Sequence, residues 1–461
     1  MKKIFKIVLL FISLTANSFS FEDCMEKASE NKEIIQTRRM LEVSRLEIIE
    51  AEKKALPAVS IELQENVIDT RKALLTASPK KETEPTASLK MSLPVSTDGS
   101  LSSNILLRRK THNINAMLYD FEYTTLKLSV LLKYIDVLKS FRQMEMSAEI
   151  SNRADSLLNI YEELYKMNKI TRLELLNARK ESGKLKYEVF LSEKVFSDSY
   201  IYLLKEINGV YSELKNIKDV DVDMNFEIDI TEASKHILDR RIEVQIYKAE
   251  KEVAEIAEKL AMPKNNFYLN FEYIRGGDYN TDRNEFYYPL SKEGHIFGLY
   301  FERPIGNHMI KYNREYEKIG RKPGGGYLEK TKLVNDKLTF QFFDNGTEKS
   351  LIETKKIEAD FYRRKLDEYI KNIKLDLRAA YYNMQSAREL IKVQQETVAY
   401  FDEKIEIEEE KYRLGKFSLP ELLESHVDAL REKQKYIEAL YDYKSAFFNL
   451  KYQLGELNET I

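Results

Sequence analysis

Cysteine, tryptophan, proline and glycine are scarce in this chain of 461 residues, at one, none, 9 and 15. A single cysteine excludes a disulfide framework and any zinc site built on cysteine. The missing tryptophan leaves any aromatic belt at a membrane interface to tyrosine and phenylalanine, such as Tyr268 and Tyr273. Charge of one sign is not in excess: 73 Lys+Arg against 76 Asp+Glu give a net charge of -3. That balance argues against a nucleic-acid partner, which usually calls for a basic chain. No segment after the N-terminus is an apolar run long enough for a transmembrane helix. What the chain does have is 43% hydrophobic residues with 29 Tyr and 22 Phe, which excludes disorder.

Residues 1–20 read as an export signal. Lys2, Lys3 and Lys6 form a positive start, Ile7 to Leu14 a short apolar core, and Ser18 and Ser20 the small residues before a cut placed after Ser20. Cys24 follows Glu22 and Asp23, where a lipoprotein signal needs small neutral residues, so it reads as a packing residue. An exported chain without apolar helices can enter a membrane only through strands.

The chain repeats itself. Ala51-Glu52-Lys53-Lys54-Ala55-Leu56-Pro57 recurs as Ala257-Glu258-Lys259-Leu260-Ala261-Met262-Pro263, an offset of 206. Tyr165-Lys166-Met167-Asn168 recurs as Tyr412-Arg413-Leu414-Gly415, and Leu173-Glu174-Leu175-Leu176 as Pro420-Glu421-Leu422-Leu423, both at 247. Asp98-Gly99 recurs as Asn345-Gly346 at 247, and Gly209 as Gly455 at 246. The spacing divides the chain into a first repeat, 21–209, and a second, 227–461.

Stretches poor in Pro and Gly and rich in Leu, Glu, Lys, Ala and Arg predict very long helices. Leu118, Phe121, Leu128, Leu131, Ile135 and Leu138 recur at helical spacing and face partner helices. In each half, a first helix of about 35 residues ends at Pro57 or Pro263, and a strand region follows. A long helix then runs from near Gly99 to a tip near Asn168, or from near Gly346 to a tip near Gly415, before a shorter one returns. At a rise of 1.5 Å per residue the long arm extends roughly 100 Å.

Strands are expected near 58–68, 88–96, 265–275 and 335–343. Val59, Ile61 and Leu63 alternate with Ser60 and Glu62; Phe267, Leu269, Phe271 and Tyr273 alternate with Tyr268, Asn270 and Glu272. One apolar and one polar face suits a membrane strand, and equally a half-buried strand of a soluble sheet. Export favours the membrane. Four strands cannot close a barrel alone, so several chains must share one. The Tyr-rich segment 276–334, with Gly324-Gly325-Gly326, reads as a long surface loop in which His295 to Arg303 is a rival or additional strand.

This layout resembles the TolC-like outer membrane efflux protein family. The resemblance rests on the duplication, on Leu93-Pro94-Val95 to Gly99 and Phe342-Phe343-Asp344-Asn345-Gly346, and on Tyr412-Arg413-Leu414-Gly415 followed by Glu421-Leu422-Leu423-Glu424. It implies a mostly α fold with membrane β-strands. It implies a homotrimer with a 12-stranded β-barrel continuous with a 12-helix periplasmic α-barrel. The function implied is passive: an outer-membrane exit duct of a tripartite efflux pump or type I secretion system, not an enzyme and without cofactors. The implied partners are a periplasmic adaptor (membrane fusion) protein, an inner-membrane transporter and outer-membrane lipid. The alternative is a periplasmic coiled-coil adaptor or structural interaction protein, which explains the helices but not the alternating strands.

Functional residues concentrate at the tips. Asn168 stands where the family usually has Gly, and it tolerates the left-handed backbone. Asn168, Lys169, Gly415 and Lys416 sit in the exposed turns and are candidate adaptor contacts. Glu421 and Glu424, three apart, share one helix face. Around a symmetry axis they would make acidic rings that attract cations, as the resemblance also implies; alternatively they only favour the helix N-terminus. Glu174 and Tyr412 are candidate polar links holding the tip shut. The five histidines, His112, His236, His295, His308 and His426, show no metal-ligand spacing and read as surface residues.

Overall fold

The computed structural model describes residues 19–70, 80–211, 217–262, 264–280, 285–305, 308–321, 329–342, 347–417 and 419–460. The apolar N-terminal stretch, Gly324 to Gly326 and the Phe343-Asp344-Asn345-Gly346 motif lie outside them. Helices α1 (Phe21–Ala28) and α2 (Lys32–Lys53) lead into strands β1 (Ala58–Thr70) and β2 (Lys80–Ser96). The long helix α3 (Ser100–Lys166) and its return α4 (Arg172–Glu206) follow. The second half opens with α5 (Ile230–Arg240) and α6 (Ile242–Ala261). Strands β3 (Asn266–Asn280), β4 (Glu285–Ile305), β5 (His308–Arg321) and β6 (Glu329–Gln341) come next. Helices α7 (Thr347–Arg413), α8 (Leu419–Leu454) and α9 (Leu457–Thr460) close the chain.

The equivalence of the halves is metrical. Helices α3 and α7 are both 67 residues long, and α4 and α8 have 35 and 36. The expected first helix of about 35 residues is instead two helices in each half. Ser29 caps the first break, and Arg241, with an extended backbone (φ −72°, ψ 119°), makes the second. The match of Gly209 to Gly455 also shifts by one. The left-handed residues are Asn208 (φ 49°) and Gly455 (φ 75°), which restores the offset of 247.

The chain divides into two compact units. One comprises Met1–Arg39, Met117–Ile246 and Asp367–Ile461; the other comprises Met40–Ala116 and Tyr247–Leu366. In the first, the helices lie in the order α4–α3–α8–α7. Ser182 donates to Asp155 at 2.7 Å and Ser140 meets Ser199 at 2.6 Å, joining α4 to α3. Lys139 pairs with Asp442 at 2.8 Å, joining α3 to α8, and Lys433 with Asp402 at 2.9 Å, joining α8 to α7. The core holds Val130, Leu131, Tyr134, Ile135 and Leu138 of α3 with Leu203 of α4, all fully buried. These include the predicted stripe residues Leu131, Ile135 and Leu138.

The segment between the halves is clamped onto this core. Lys444, buried, donates to Asp219 at 2.7 Å and to the Val220 carbonyl at 2.8 Å. Tyr134 donates to the carbonyls of Phe19 (3.0 Å) and Lys218 (2.6 Å). Ser20 caps α1 through a reciprocal box with Asp23. Phe19 and Ser20 are thus built into the fold, on the N-terminal side of the cut expected after Ser20.

The second unit carries one antiparallel sheet with order β1-β2-β3-β4-β5-β6. This corrects the four-strand expectation: 276–334 is not a long loop, because β4 and β5 run through it. The alternation at His295–Arg303 belongs to β4. The strand character of β5 is masked in the sequence because Arg314 and Lys318 fall on the face of Ile310, Tyr312 and Tyr316, and charge there reads as loop.

Candidate functional site

Two sites follow from this architecture, the faces of the sheet and the helical tips. In an antiparallel ladder, directly opposed residues point to the same face. One row crosses every strand: Val59 opposes Met91, Met91 Phe271, Phe271 Phe297, Phe297 Tyr316 and Tyr316 Val334. All six are apolar or aromatic and exposed, Val59 at 62%. The same face carries Ile61 and Leu63, at 75% and 79%, and Leu338 and Phe340. Its one ion pair among the described residues is Arg314 with Asp336 at 3.6 Å, which Tyr312 also bonds at 2.9 Å.

The opposite face is polar and internally bonded. Lys90 sits between Glu62 and Glu272, the latter at 3.7 Å, and Ser92 donates to Asn270 at 2.6 Å. Tyr300 and Asn313 both donate to Glu315, and Lys311 lies 3.7 Å from Glu302. A ladder of charges in water against a stripe of exposed apolar side chains is what separates a lumen from lipid.

Both tips end in the same turn. Asn168 (φ 54°) and Gly415 (φ 69°) occupy the left-handed position. The Lys169 amide bonds the Leu164 carbonyl and the Lys416 amide the Lys411 carbonyl, each at 2.9 Å. This is the Schellman closure in both halves. Lys169 and Lys416 are exposed.

The tip carboxylates share one electrostatic neighbour, the Tyr161 phenol. Burial pushes the Tyr161 hydroxyl up, and Glu424, Glu174 and Glu421 add to it, so the carboxylates of both hairpins lie near α3. Glu421 and Glu424 are exposed on α8. Glu174 closes a capping box: its carboxylate accepts from the Thr171 amide at 2.6 Å and hydroxyl at 2.9 Å. Those bonds hold it below the usual carboxylate range. The Thr-x-x-Glu spacing that makes this box is legible in the sequence. Tyr412 is exposed, in the last turn of α7.

His426, expected at the surface, is instead half-buried two residues beyond Glu424. Its Nδ1 lies 3.3 Å from Arg153 and its Nε2 lies 3.5 Å from Glu409. Burial, then Arg153, lower its pKa below the ordinary imidazole value; Glu409 and Glu408 oppose them, and Lys433 assists. The unfolded chain therefore binds the proton more readily, so stability rises with pH. His426 contributes fully above about pH 6.5, and the contribution is lost as pH falls through its lowered pKa. We expect the protection of amides at the end of α7, corrected for intrinsic exchange, to fall as pH drops below about 6.5, and His426→Gln to abolish that dependence.

Among the described residues no group of three His, Cys, Asp or Glu is placed to hold a metal, and no helix is long and apolar enough to cross a membrane. A family model described as outer membrane efflux protein matches residues 332–456. No curated protein matches the chain. Solved structures share its fold across nearly its whole length. The outer membrane channel CmeC of Campylobacter jejuni is 13% identical with a TM-score of 0.68, covering 95% of this chain and 86% of that one. The outer membrane protein VceC of Vibrio cholerae is 10% identical with a TM-score of 0.68, covering 94% and 96%. The open state of the MtrE outer membrane channel of Neisseria gonorrhoeae is 11% identical with a TM-score of 0.66, covering 95% and 89%.

Proposed function

We propose that this chain, which matches the outer membrane efflux protein family over residues 332–456 and has the fold of outer membrane channels, is the outer-membrane exit duct of a tripartite efflux pump or type I secretion system. The observation that carries the reading is the apolar row running through all six strands opposite a polar, ion-paired face. Lipid covers the first face and water fills the second. A periplasmic coiled-coil protein has no use for such a sheet.

The duct is a homotrimer. One sheet leaves unpaired edges at β1 and β6, which lipid does not tolerate. The edge helices also leave apolar stripes uncovered: Leu176, Tyr187 and Phe190 on α4, and Leu375, Tyr382, Val393 and Tyr400 on α7. Edges at opposite ends of a row close head to tail into a ring. Transport is passive. The turns at Asn168-Lys169 and Gly415-Lys416 dock a periplasmic adaptor, which connects the duct to an inner-membrane transporter. Tyr412 and Glu174 link neighbouring tips.

Glu421 and Glu424 form acidic rings at the tip. Replacing both with Gln is expected to weaken block of single-channel conductance by divalent cations several-fold. Unchanged block would reduce them to helix-terminus charges. The native mass of the protein extracted in detergent tests the reading as a whole. Three copies are expected, and a monomer released from the envelope without detergent would replace the duct by the coiled-coil alternative.

The leader is cut after Ser18 rather than Ser20. Ala16 and Ser18 are then the small residues before the cut, and Phe19 and Ser20 keep their places against Tyr134 and Asp23. N-terminal sequencing of the mature protein is expected to begin at Phe19; a start at Phe21 would reject this.

A further inference from the structure

We infer that β4 and β5 are a membrane-spanning hairpin of the barrel wall, so that each copy contributes six strands and the exit is wider than four strands per copy would make it. The inference rests on the duct reading above. Three observations carry it.

The first is continuity. Strands β4 and β5 pair without a break from Lys292–Arg321 to Ile305–His308, 14 residue pairs. That exceeds the 9–11 residues that a tilted strand needs to cross a bilayer. The hairpin stands between β3 and β6, which do not pair with each other. Folding it out of the wall would leave two new edges in lipid.

The second is facing. Phe297, Leu299 and Phe301 of β4 and Tyr312 and Tyr316 of β5 lie on the face of Val59 and Met91. Gly294, Gly298, Tyr300 and Glu302 of β4 and Asn313 and Glu315 of β5 lie on the face of Glu62 and Lys90. A Cβ at Gly298 would lie 2.6 Å from the Tyr300 ring, so glycine makes room on what would be the concave side.

The third is the connections. Four strand ends lead to helices at one end of the sheet, through α2–β1, β2–α3, α6–β3 and β6–α7. At that same end only residues 306–307 join β4 to β5. At the other end the joins are longer, 71–79, 281–284 and 322–328. Short turns toward the periplasm and longer loops outward are the asymmetry of membrane barrels. Three copies then bring eighteen strands, three times the six of one sheet. Because barrel diameter grows nearly linearly with strand number, the exit is about one and a half times as wide as a twelve-stranded one. It admits correspondingly bulkier cargo at the outer membrane.

Single cysteines in a Cys24→Ser background test this in outer-membrane vesicles opened to reagent on both sides. A water-soluble maleimide is the probe, with Phe297→Cys, Leu299→Cys and Tyr316→Cys on the apolar face and Ile296→Cys and Glu315→Cys on the polar face. Ile61→Cys and Glu62→Cys in β1 serve as the reference pair. Thiols in hydrocarbon cannot ionise, so apolar-face positions in both hairpins are expected to label at least about tenfold more slowly than polar-face ones. If Ile61→Cys is protected while positions 297, 299 and 316 label as fast as 296 and 315, the hairpin lies outside the wall and the inference fails, with the duct intact. If Ile61→Cys also labels fast, the membrane sheet fails, and this inference with it.

Discussion

In the homotrimer proposed above, replacing Tyr382 and Tyr400 with Glu is expected to break the assembly into monomers in detergent. Both side chains are more than 60% exposed in a single copy, at 63% and 62%, so neither change disturbs the fold of one chain. Together with Leu375 and Val393 they keep one face of α7 at spacings of seven and eleven residues, which return to nearly the same angle on a helix. An exposed apolar stripe of that length marks a contact with another protein surface. Two carboxylates buried there without partners would each cost several kcal/mol per copy, repeated round the ring. Native mass in detergent reads the outcome, and helix content measured alongside separates dissociation from misfolding. A trimer of unchanged stability would mean that the α7 stripe faces water, and that the edges β1 and β6 alone hold the ring.

Replacing Arg241 with Ala is expected to cost about 3–5 kcal/mol, because it strands a buried carboxylate. Arg241 and Glu243 are 5% and 6% exposed. Arg241 donates to Glu243 through Nε at 2.9 Å and again through Nη2, and to Gln453 at the end of α8. Its guanidinium sits 5.2 Å from the centre of the Tyr452 ring, whose hydroxyl meets Thr125 of α3 at 3.3 Å. One side chain thus ties the α5–α6 break to two long helices. Thermal unfolding followed by helix signal is expected to fall by several degrees in Arg241→Ala. Most of that should return in Arg241→Met with Glu243→Leu, because removing both partners leaves no buried charge unpaired. If the single and double variants lose equally, packing rather than charge holds the joint.

Helix lengths and turns were legible because their causes are local. Seven residues around Asn168 and Gly415 contain the left-handed position that closes each tip, and the absence of Pro and Gly over the preceding turns lets a helix run for 67 residues. The duplication supplied the rest, since one half could be read against the other. The capping box at Thr171 and Glu174 is equally local, its spacing written in four consecutive residues.

Pairing and enclosure were not legible, because they depend on residues far apart in sequence. The aromatic alternation of β5 is interrupted by Arg314, whose charge is answered by Asp336 on β6 rather than by any sequence neighbour. His426 looks like a surface residue until α3 brings Arg153 against it. Arg241 looks like an ordinary charged residue until α8 covers it. The sequence by itself determined two matched helical hairpins and the positions of their tips, through periodicity and backbone chemistry within a few turns. Only the tertiary structure decided how many strands share the sheet and which charges are buried, because strand partners and burial are set by chain segments that local chemistry does not join.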